Sequence, residues 1–434
     1  MLIPRKIVKS RHGSRRKSQF RVYFSGNTVK QNASTMLHSY AFANFRSFRE
    51  RTEVSLKLAE NASVSGWDRE SPSGQRLTTA LAVLGPNASG KTSLIHPLAF
   101  LAWFIRESFN AKPEQGIPII PHFTGGDAPS EFEVIADADE PESLWRYRLG
   151  VNGEEVLAES LEKKTRRGRW IPVFTRTRVQ PKRYEVIQDG FGLDPSQAEM
   201  VRANVSLISW AAQFGVPLAR TLFKMMPVFT NLTENGKTWQ PRNEILELCT
   251  RHYAKNEGLR VRMRDLLAQW DLGLADVSVE EHEIPDTSGT KKPHWFAYGV
   301  HRDLVRGQEY VLPFIHESSG TQAAFTLLAQ VLVALEVGGL VVWDELDGDL
   351  HPHMLEPLLD LFSNSETNPH NAQIIFTCHA VEVLRLLQKS QVVLVEKEGL
   401  ESTAWRLDSL EGVRSDDNRV AKYLAGAYGA VPRL

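Results

Sequence analysis

The chain has 434 residues, 42% of them hydrophobic and 24% charged, which suits one large domain with insertions or two to three smaller units and excludes a disordered or fibrous protein. Its two cysteines, Cys249 and Cys378, stand far apart with no partner at metal-ligand spacing, so neither a disulfide framework nor a zinc site is indicated, and a reducing, cytoplasmic setting fits. The longest apolar run, Phe325 to Leu340, is broken by Gln330, Glu336 and the Gly338-Gly339 pair, so no membrane partner is expected.

The net charge of −1 hides an asymmetry, because residues 1–35 carry nine Lys/Arg and no acidic residue. An arm of this kind can bind nucleic acid. Met36 begins a stretch that reads as a natural opening, however, and residues 1–35 are better taken as a basic disordered tail or extension. From Ser39 to Phe48, aromatic residues alternate with small or polar ones, as in a strand. Leu81-Ala82-Val83-Leu84 is a short apolar run bounded by Gly85-Pro86, as expected of a buried parallel strand. It leads into Gly90-Lys91-Thr92-Ser93 and a helical stretch, Leu94 to Glu107, which contains Pro97.

Residues 130–187 change character. Glu131 to Ala136, Trp145 to Val151, Val156 to Lys164 and Trp170 to Arg176 read as a meander of short strands with an Asn152-Gly153 turn. Residues 195–275 lean helical, with runs at Ile245 to Ala254 and Val261 to Trp270. From Phe314 the α/β pattern returns. A helix follows Gly320, and then come strand 340–343, helix 354–362, strand 373–377, a helix from Val381 and strand 392–395. No internal repeat and no heptad run long enough for a coiled-coil arm is present. The cluster Lys163-Lys164-Thr165-Arg166-Arg167-Gly168-Arg169-Trp170 suits a solvated hairpin tip, with nucleic acid or an acidic partner as the alternative.

Four elements carry chemistry. Gly85-Pro86-Asn87-Ala88-Ser89-Gly90-Lys91-Thr92, continued by Ser93, fits G-x-x-x-x-G-K-[ST] between a strand and a helix. Backbone N–H groups and the helix N-terminus would cradle the phosphates of ATP, Lys91 would reach the β- and γ-phosphates, and the Thr92 hydroxyl would take Mg²⁺. Leu340-Val341-Val342-Trp343-Asp344-Glu345 is an apolar strand ending in two carboxylates. Asp344 would hold Mg²⁺, and Glu345 would orient or deprotonate the attacking water. His379, after strand 373–378, is placed to sense the γ-phosphate. Ser318, Ser319 and Gly320 open a helix and offer a second anion site. One chain cannot easily bring both helix starts to one γ-phosphate, so this loop is expected to act on ATP held by a second copy. The catalytic candidates are therefore Glu345, His379 and Lys91, and the metal candidates are Thr92 and Asp344.

These elements, in this order, resemble the ABC/SMC/RecF class of ATPases. The resemblance implies an α/β P-loop NTPase of ABC/SMC type, with a mixed sheet core, an antiparallel β meander and a helical insertion. Residues 36–190 would form the N-terminal half of the ATPase core with the meander, 191–300 the insertion and 301–434 the C-terminal half. More narrowly, Glu317 to Gln322, Asp344-Glu345-Leu346-Asp347, Leu350-His351-Pro352 and Glu396-Lys397 are similar to defence-associated ATPases of the AbiL and Rlo type. That likeness covers residues 36–110 and 310–434. It implies a prokaryotic anti-phage, abortive-infection ATPase that forms at least a dimer and works with a separately encoded nuclease or toxin. The alternative is a RecF/SMC-like ATPase of DNA repair or recombination, with nucleic acid as a partner. The signature reads Ser-Ser-Gly-Thr-Gln rather than Ser-Gly-Gly-Gln. Gln180, Gln188 and Gln197 all remain open as the Q-loop glutamine. Deleting residues 1–35 is expected to leave ATP affinity unchanged in a titration with a fluorescent analogue, and loss of binding would refute the tail assignment.

Overall fold

A computed structural model describes residues 35–432 apart from 60, 61, 63, 166–167, 238–240, 286–288 and 415. The assignment of 1–35 as a tail thus lies, but for Thr35, outside the described residues, as does part of the 163–170 cluster. Strands β1 (Leu37–Ala43) and β2 (Thr52–Ser55) are followed by a small hairpin, β3 (Asp68–Glu70) and β4 (Arg76–Thr78). Then come the buried strand β5 (Ala80–Leu84) and helix α1 (Lys91–Glu107), which runs through Pro97.

The meander consists of β6 (Ser130–Asp137), β7 (Ser143–Val151), β8 (Val156–Thr165), β9 (Ile171–Gln180) and β10 (Arg183–Gln188). With β1 and β2 it makes a seven-stranded sheet in the order β10-β9-β8-β7-β6-β1-β2. The alternation along β7 explains its half-buried setting, since Trp145, Tyr147, Leu149 and Val151 all point into the core. At the β7–β8 turn the Asn152 carboxamide oxygen accepts from the N–H groups of Glu154 and Glu155 at 2.9 and 2.8 Å.

Helices α2 (Pro195–Glu199), α3 (Leu207–Gln213) and α4 (Pro217–Met225) precede a short strand, β11 (Val228–Thr230), and a tight hairpin, β12 (Leu232–Thr233) and β13 (Gly236–Lys237). Next are α5 (Arg242–Lys255), α6 (Glu257–Gln269) and a three-stranded antiparallel sheet, β14 (Asp276–Pro285), β15 (Lys291–Asp303) and β16 (Gln308–Pro313). The stretch expected to be helical, 191–300, therefore also holds strands. Residues Glu280 to Pro285 of β14 are all exposed, so this ribbon lacks the apolar alternation that marks a strand in sequence.

The chain ends with α7 (Ser319–Val337), β17 (Leu340–Trp343), α8 (Leu355–Ser363), β18 (Gln373–Thr377), α9 (Val383–Leu386), β19 (Val392–Glu398), β20 (Glu401–Arg406) and α10 (Arg419–Leu424). The core sheet runs β11-β17-β18-β5-β19-β20, parallel except for β20. Strand β5, from the N-terminal half, sits between two strands of the C-terminal half, so the sheet is discontinuous in sequence. Both faces are covered. Ala80, Ala82, Leu84, Val341, Ile374 and Phe376 face the core under α7 and α8, while Leu81, Val83, Val342 and Ile375 face the one under α1 and the antiparallel sheet. That double burial makes these strands read as unbroken apolar runs.

Helix α7 is long and apolar enough to cross a bilayer by length and composition, contrary to the expectation drawn from its interruptions, but 67% of its apolar window is buried within the fold. Within the seven-stranded sheet, Arg176 on β9 and Glu159 on β8 form a buried cross-strand pair. Arg176 also donates to the carbonyls of Val205 and Arg202 at 2.7 and 2.9 Å. Glu159 accepts from Tyr147 Oη, Ser206 Oγ and Leu207 N at 2.9, 2.7 and 2.9 Å, which fixes the start of α3 on the sheet. Arg176→Met leaves that carboxylate buried without its cation. The expected loss is about 3–5 kcal/mol in urea unfolding, and a change below ~1 kcal/mol would show the pair to be dispensable.

Candidate nucleotide site

The parallel strands β5, β17 and β18 all end on one side of the sheet, and the predicted site residues collect there. The glycine loop, residues 85–90, turns from β5 into α1. Gly85 has φ 156° and Gly90 has φ 108°. A side chain at Gly85 would meet the Val395 carbonyl oxygen at 2.2 Å, and one at Gly90 would meet the hydroxyls of Ser402 and Ser47 at 2.5 and 2.8 Å. Only glycine fits either place. Ser402 Oγ donates to the Ser89 carbonyl at 2.7 Å, so β20 braces the loop from behind. Asn87 and Ala88 are exposed at its crest, and Pro86 is half-buried.

Lys91 is buried, and its Nζ donates to the carbonyls of Gly85 and Pro86, both at 2.9 Å. Burial pulls its ammonium below the usual lysine value, partly offset by the carboxylates of Asp344, Glu345 and Asp347. Thr92, on the first turn of α1, donates to Asp344 with its Oγ1 2.9 and 3.0 Å from the two carboxylate oxygens. Ser93 follows, half-buried on the same turn. Asp344 is 2% exposed and also accepts from Thr377 Oγ1, at the end of β18, at 2.8 Å. Thr377 Oγ1 in turn accepts from Glu345 N at 2.7 Å. One hydroxyl thus fixes both carboxylate residues.

Glu345 has φ 55°, a left-handed backbone that a glutamate adopts only when its surroundings enforce it. Its carboxylate is held below the usual range by its bond to Lys237, with smaller contributions from His379 and Lys91. His379 is exposed, and its backbone N–H, with that of Ala380, donates to Asp347 Oδ2 at 2.8 and 2.9 Å. The loop after Glu345 is thereby tied to the end of β18.

Ser318 caps α7, accepting from Thr321 N at 3.1 Å. Ser318 and Ser319 are exposed. Among the described residues neither bonds to the glycine loop of its own chain. Gly320 instead packs on the loop after Glu345, since a side chain there would meet the Asp349 carbonyl oxygen at 2.8 Å. Arg242 on α5 holds the Asp349 carboxylate at 2.6 Å.

Three partners escaped the sequence reading. Thr377 is one. Asn231, directly after β11, is another: its amide donates to the Asp344 carbonyl at 2.8 Å and accepts from Asp344 N–H at 2.9 Å. Gln180, Gln188 and Gln197 lie on β9, β10 and α2. Lys237, on β13, is the third. A lone Asn or Lys in a polar stretch gives no signal until the topology sets it beside β17.

A glycine loop between a parallel strand and a helix, with paired carboxylates ending a strand of the same sheet, defines an α/β protein with a P-loop nucleotide site. The chain belongs to the family described as "AAA domain, putative AbiEii toxin, Type IV TA system", which matches residues 81–209 and 221–385. No curated relative matches it at a significant level. Among solved structures it is similar to an Smc head bound to the C-winged helix domain of ScpA, at 12% identity and TM-score 0.45, over 86% of this chain and 98% of that one. It is also similar to the SMC head domain from Thermotoga maritima, at 14% identity and TM-score 0.39, over 85% and 98%. A third is the recombination mediator RecF, at 10% identity and TM-score 0.33, over 86% and 98%.

Thr377→Val removes the hydroxyl that serves Asp344 and Glu345 while keeping the side chain's shape. It is expected to lower stability by about 1–3 kcal/mol in denaturant unfolding. An unchanged midpoint would mean that the two carboxylate residues hold their places without it.

Proposed function

We propose that this chain binds and hydrolyses ATP between two copies of itself, and that it serves a prokaryotic anti-phage defence system by controlling a separately encoded nuclease or toxin. The observation that carries the ATPase reading is the junction of Thr92, Asp344, Thr377 and Glu345, which sets a hydroxyl and a carboxylate at the mouth of the glycine loop with a second carboxylate one residue on. The donors are all oxygen, which suits Mg²⁺, a hard cation that takes few protein ligands and fills its shell with water and phosphate. Bound there by Thr92 and Asp344, Mg²⁺ would neutralise charge on the β- and γ-phosphates.

This chain's own residues do the rest. Lys91 turns from the loop carbonyls to the phosphates, the N–H groups of residues 88–92 line them, and Glu345 takes the proton from the attacking water. His379 stands near enough to Glu345 to influence its carboxylate and is free to meet the γ-phosphate. The dimer reading rests on the exposed Ser318 and Ser319 at the start of the 19-residue helix α7, which among the described residues make no hydrogen bond to their own glycine loop. The contact of Gly320 with the loop around Asp349 would let one copy's bound nucleotide report to the other copy's carboxylates. The defence role draws on the family's description as a toxin–antitoxin AAA domain and on the Glu317 to Gln322 and Leu350-His351-Pro352 motifs.

Glu345→Gln keeps the shape of the site and removes the base. Turnover is expected to fall by about 10²–10⁴-fold, with ATP still bound and the protein running as a dimer in light scattering. Wild-type turnover in that variant would remove Glu345 from its role, and a monomer saturated with ATP would count against the sandwich.

A further inference from the structure

The hairpin β12–β13 is too short to hold itself, since each strand has two residues. It is pinned from outside instead. Asn231, at its base, is bonded to both backbone groups of Asp344. The Thr233 carbonyl accepts from His96 Nε2 at 2.9 Å. Burial, chiefly, pushes the His96 imidazole down to about 3, so the ring is neutral and its Nε2 carries the proton that a carbonyl requires. At the turn, the Asn235 carbonyl accepts from Arg46 Nη2 at 2.7 Å. Helix α1, the loop after β1 and the end of β17 therefore all fix where β13 lies.

That placement aims Lys237. Its ammonium bonds to the Glu345 carboxylate and lies 4.0 Å from Asp344 Oδ2. Lys91, the other lysine nearby, is turned toward the carbonyls of Gly85 and Pro86. Among the described residues, Lys237 is the cation in contact with this pair of carboxylates. We propose that Lys237 is the resident counter-ion of the site: it holds Asp344 and Glu345 while no metal is bound, and it must leave Glu345 when Mg·ATP arrives. This rests on the reading that Asp344 takes the metal.

Two cations cannot share the pair without cost, because a dication on Asp344 would repel an ammonium a few ångströms away. The γ-phosphate supplies an alternative anion at the mouth of the site, and the lysine's four-carbon stem, half-exposed, has room to reach it. Occupancy of the site and release of the base would then be one event. Until then the ammonium keeps Glu345 Oε2 engaged.

The test measures Mn²⁺ binding to the full, nucleotide-free chain by electron paramagnetic resonance, in wild type, Lys237→Met, Lys237→Gln, Lys237→Arg and Asp344→Asn, each first checked by thermal melt. Removing the charge in either neutral variant should tighten Mn²⁺ about tenfold or more. Lys237→Arg should stay near wild type, and Asp344→Asn should lose the ion. If the neutral variants bind Mn²⁺ no tighter while Asp344→Asn still loses it, the counter-ion proposal fails and the metal assignment stands. If Asp344→Asn binds Mn²⁺ like wild type, the metal assignment fails and takes the proposal with it.

Discussion

A carboxylate with almost no access to solvent, Asp344, is the constraint that the rest of the structure serves. A buried charge is tolerated only when donors surround it, and here they come from elements remote in sequence, Thr92 on α1 and Thr377 on β18, while Asn231 after β11 pins the backbone N–H and carbonyl of Asp344. The strand order β11-β17-β18-β5 makes this possible by ending all four strands beside one another. Any change in that order would strand the charge. The left-handed turn at Glu345 follows from the same arrangement, because Thr377 holds the backbone N–H of Glu345 with the hydroxyl oxygen whose proton goes to Asp344.

The inserted segments extend this centre rather than decorating it. Asn231, Lys237 and Arg242 meet Asp344, Glu345 and Asp349 in turn, and Arg242 opens α5. That helix packs beside α7, where Tyr253 Oη donates to the Phe325 carbonyl at 3.0 Å. The element that holds the Asp349 carboxylate is thus in contact with the helix whose serine-capped start is exposed. In a sandwich dimer, the state of one nucleotide would bear on both faces at once.

Much of this was legible in the residues. The glycine loop, the Asp344-Glu345 pair, the meander and the returning α/β pattern all announce themselves, because each depends on local chemistry: φ-permissive glycines, apolar runs buried on two faces, or alternation on one. What stayed hidden depends on long-range pairing. Strand β11 is three residues long, and its alignment with β17 is set by tertiary contact rather than by propensity. The polar, exposed ribbon of β14 and β15 carries almost no periodic signal. Asn231, Lys237 and Thr377 are ordinary residues until those pairings bring them to Asp344.

The central claim is that one copy's glycine loop meets the other copy's serine-capped helix across ATP. Asn87 and Ser319 are both exposed, whereas the native cysteines, Cys249 and Cys378, are buried and should ignore a thiol reagent. Mixing a chain carrying Asn87→Cys with one carrying Ser319→Cys, and adding a short bismaleimide with and without Mg·ATP, tests the arrangement directly. The account predicts a covalent heterodimer formed only with nucleotide. Cross-linking that is absent from the mixture with nucleotide, yet occurs within a single chain bearing both substitutions, would contradict it.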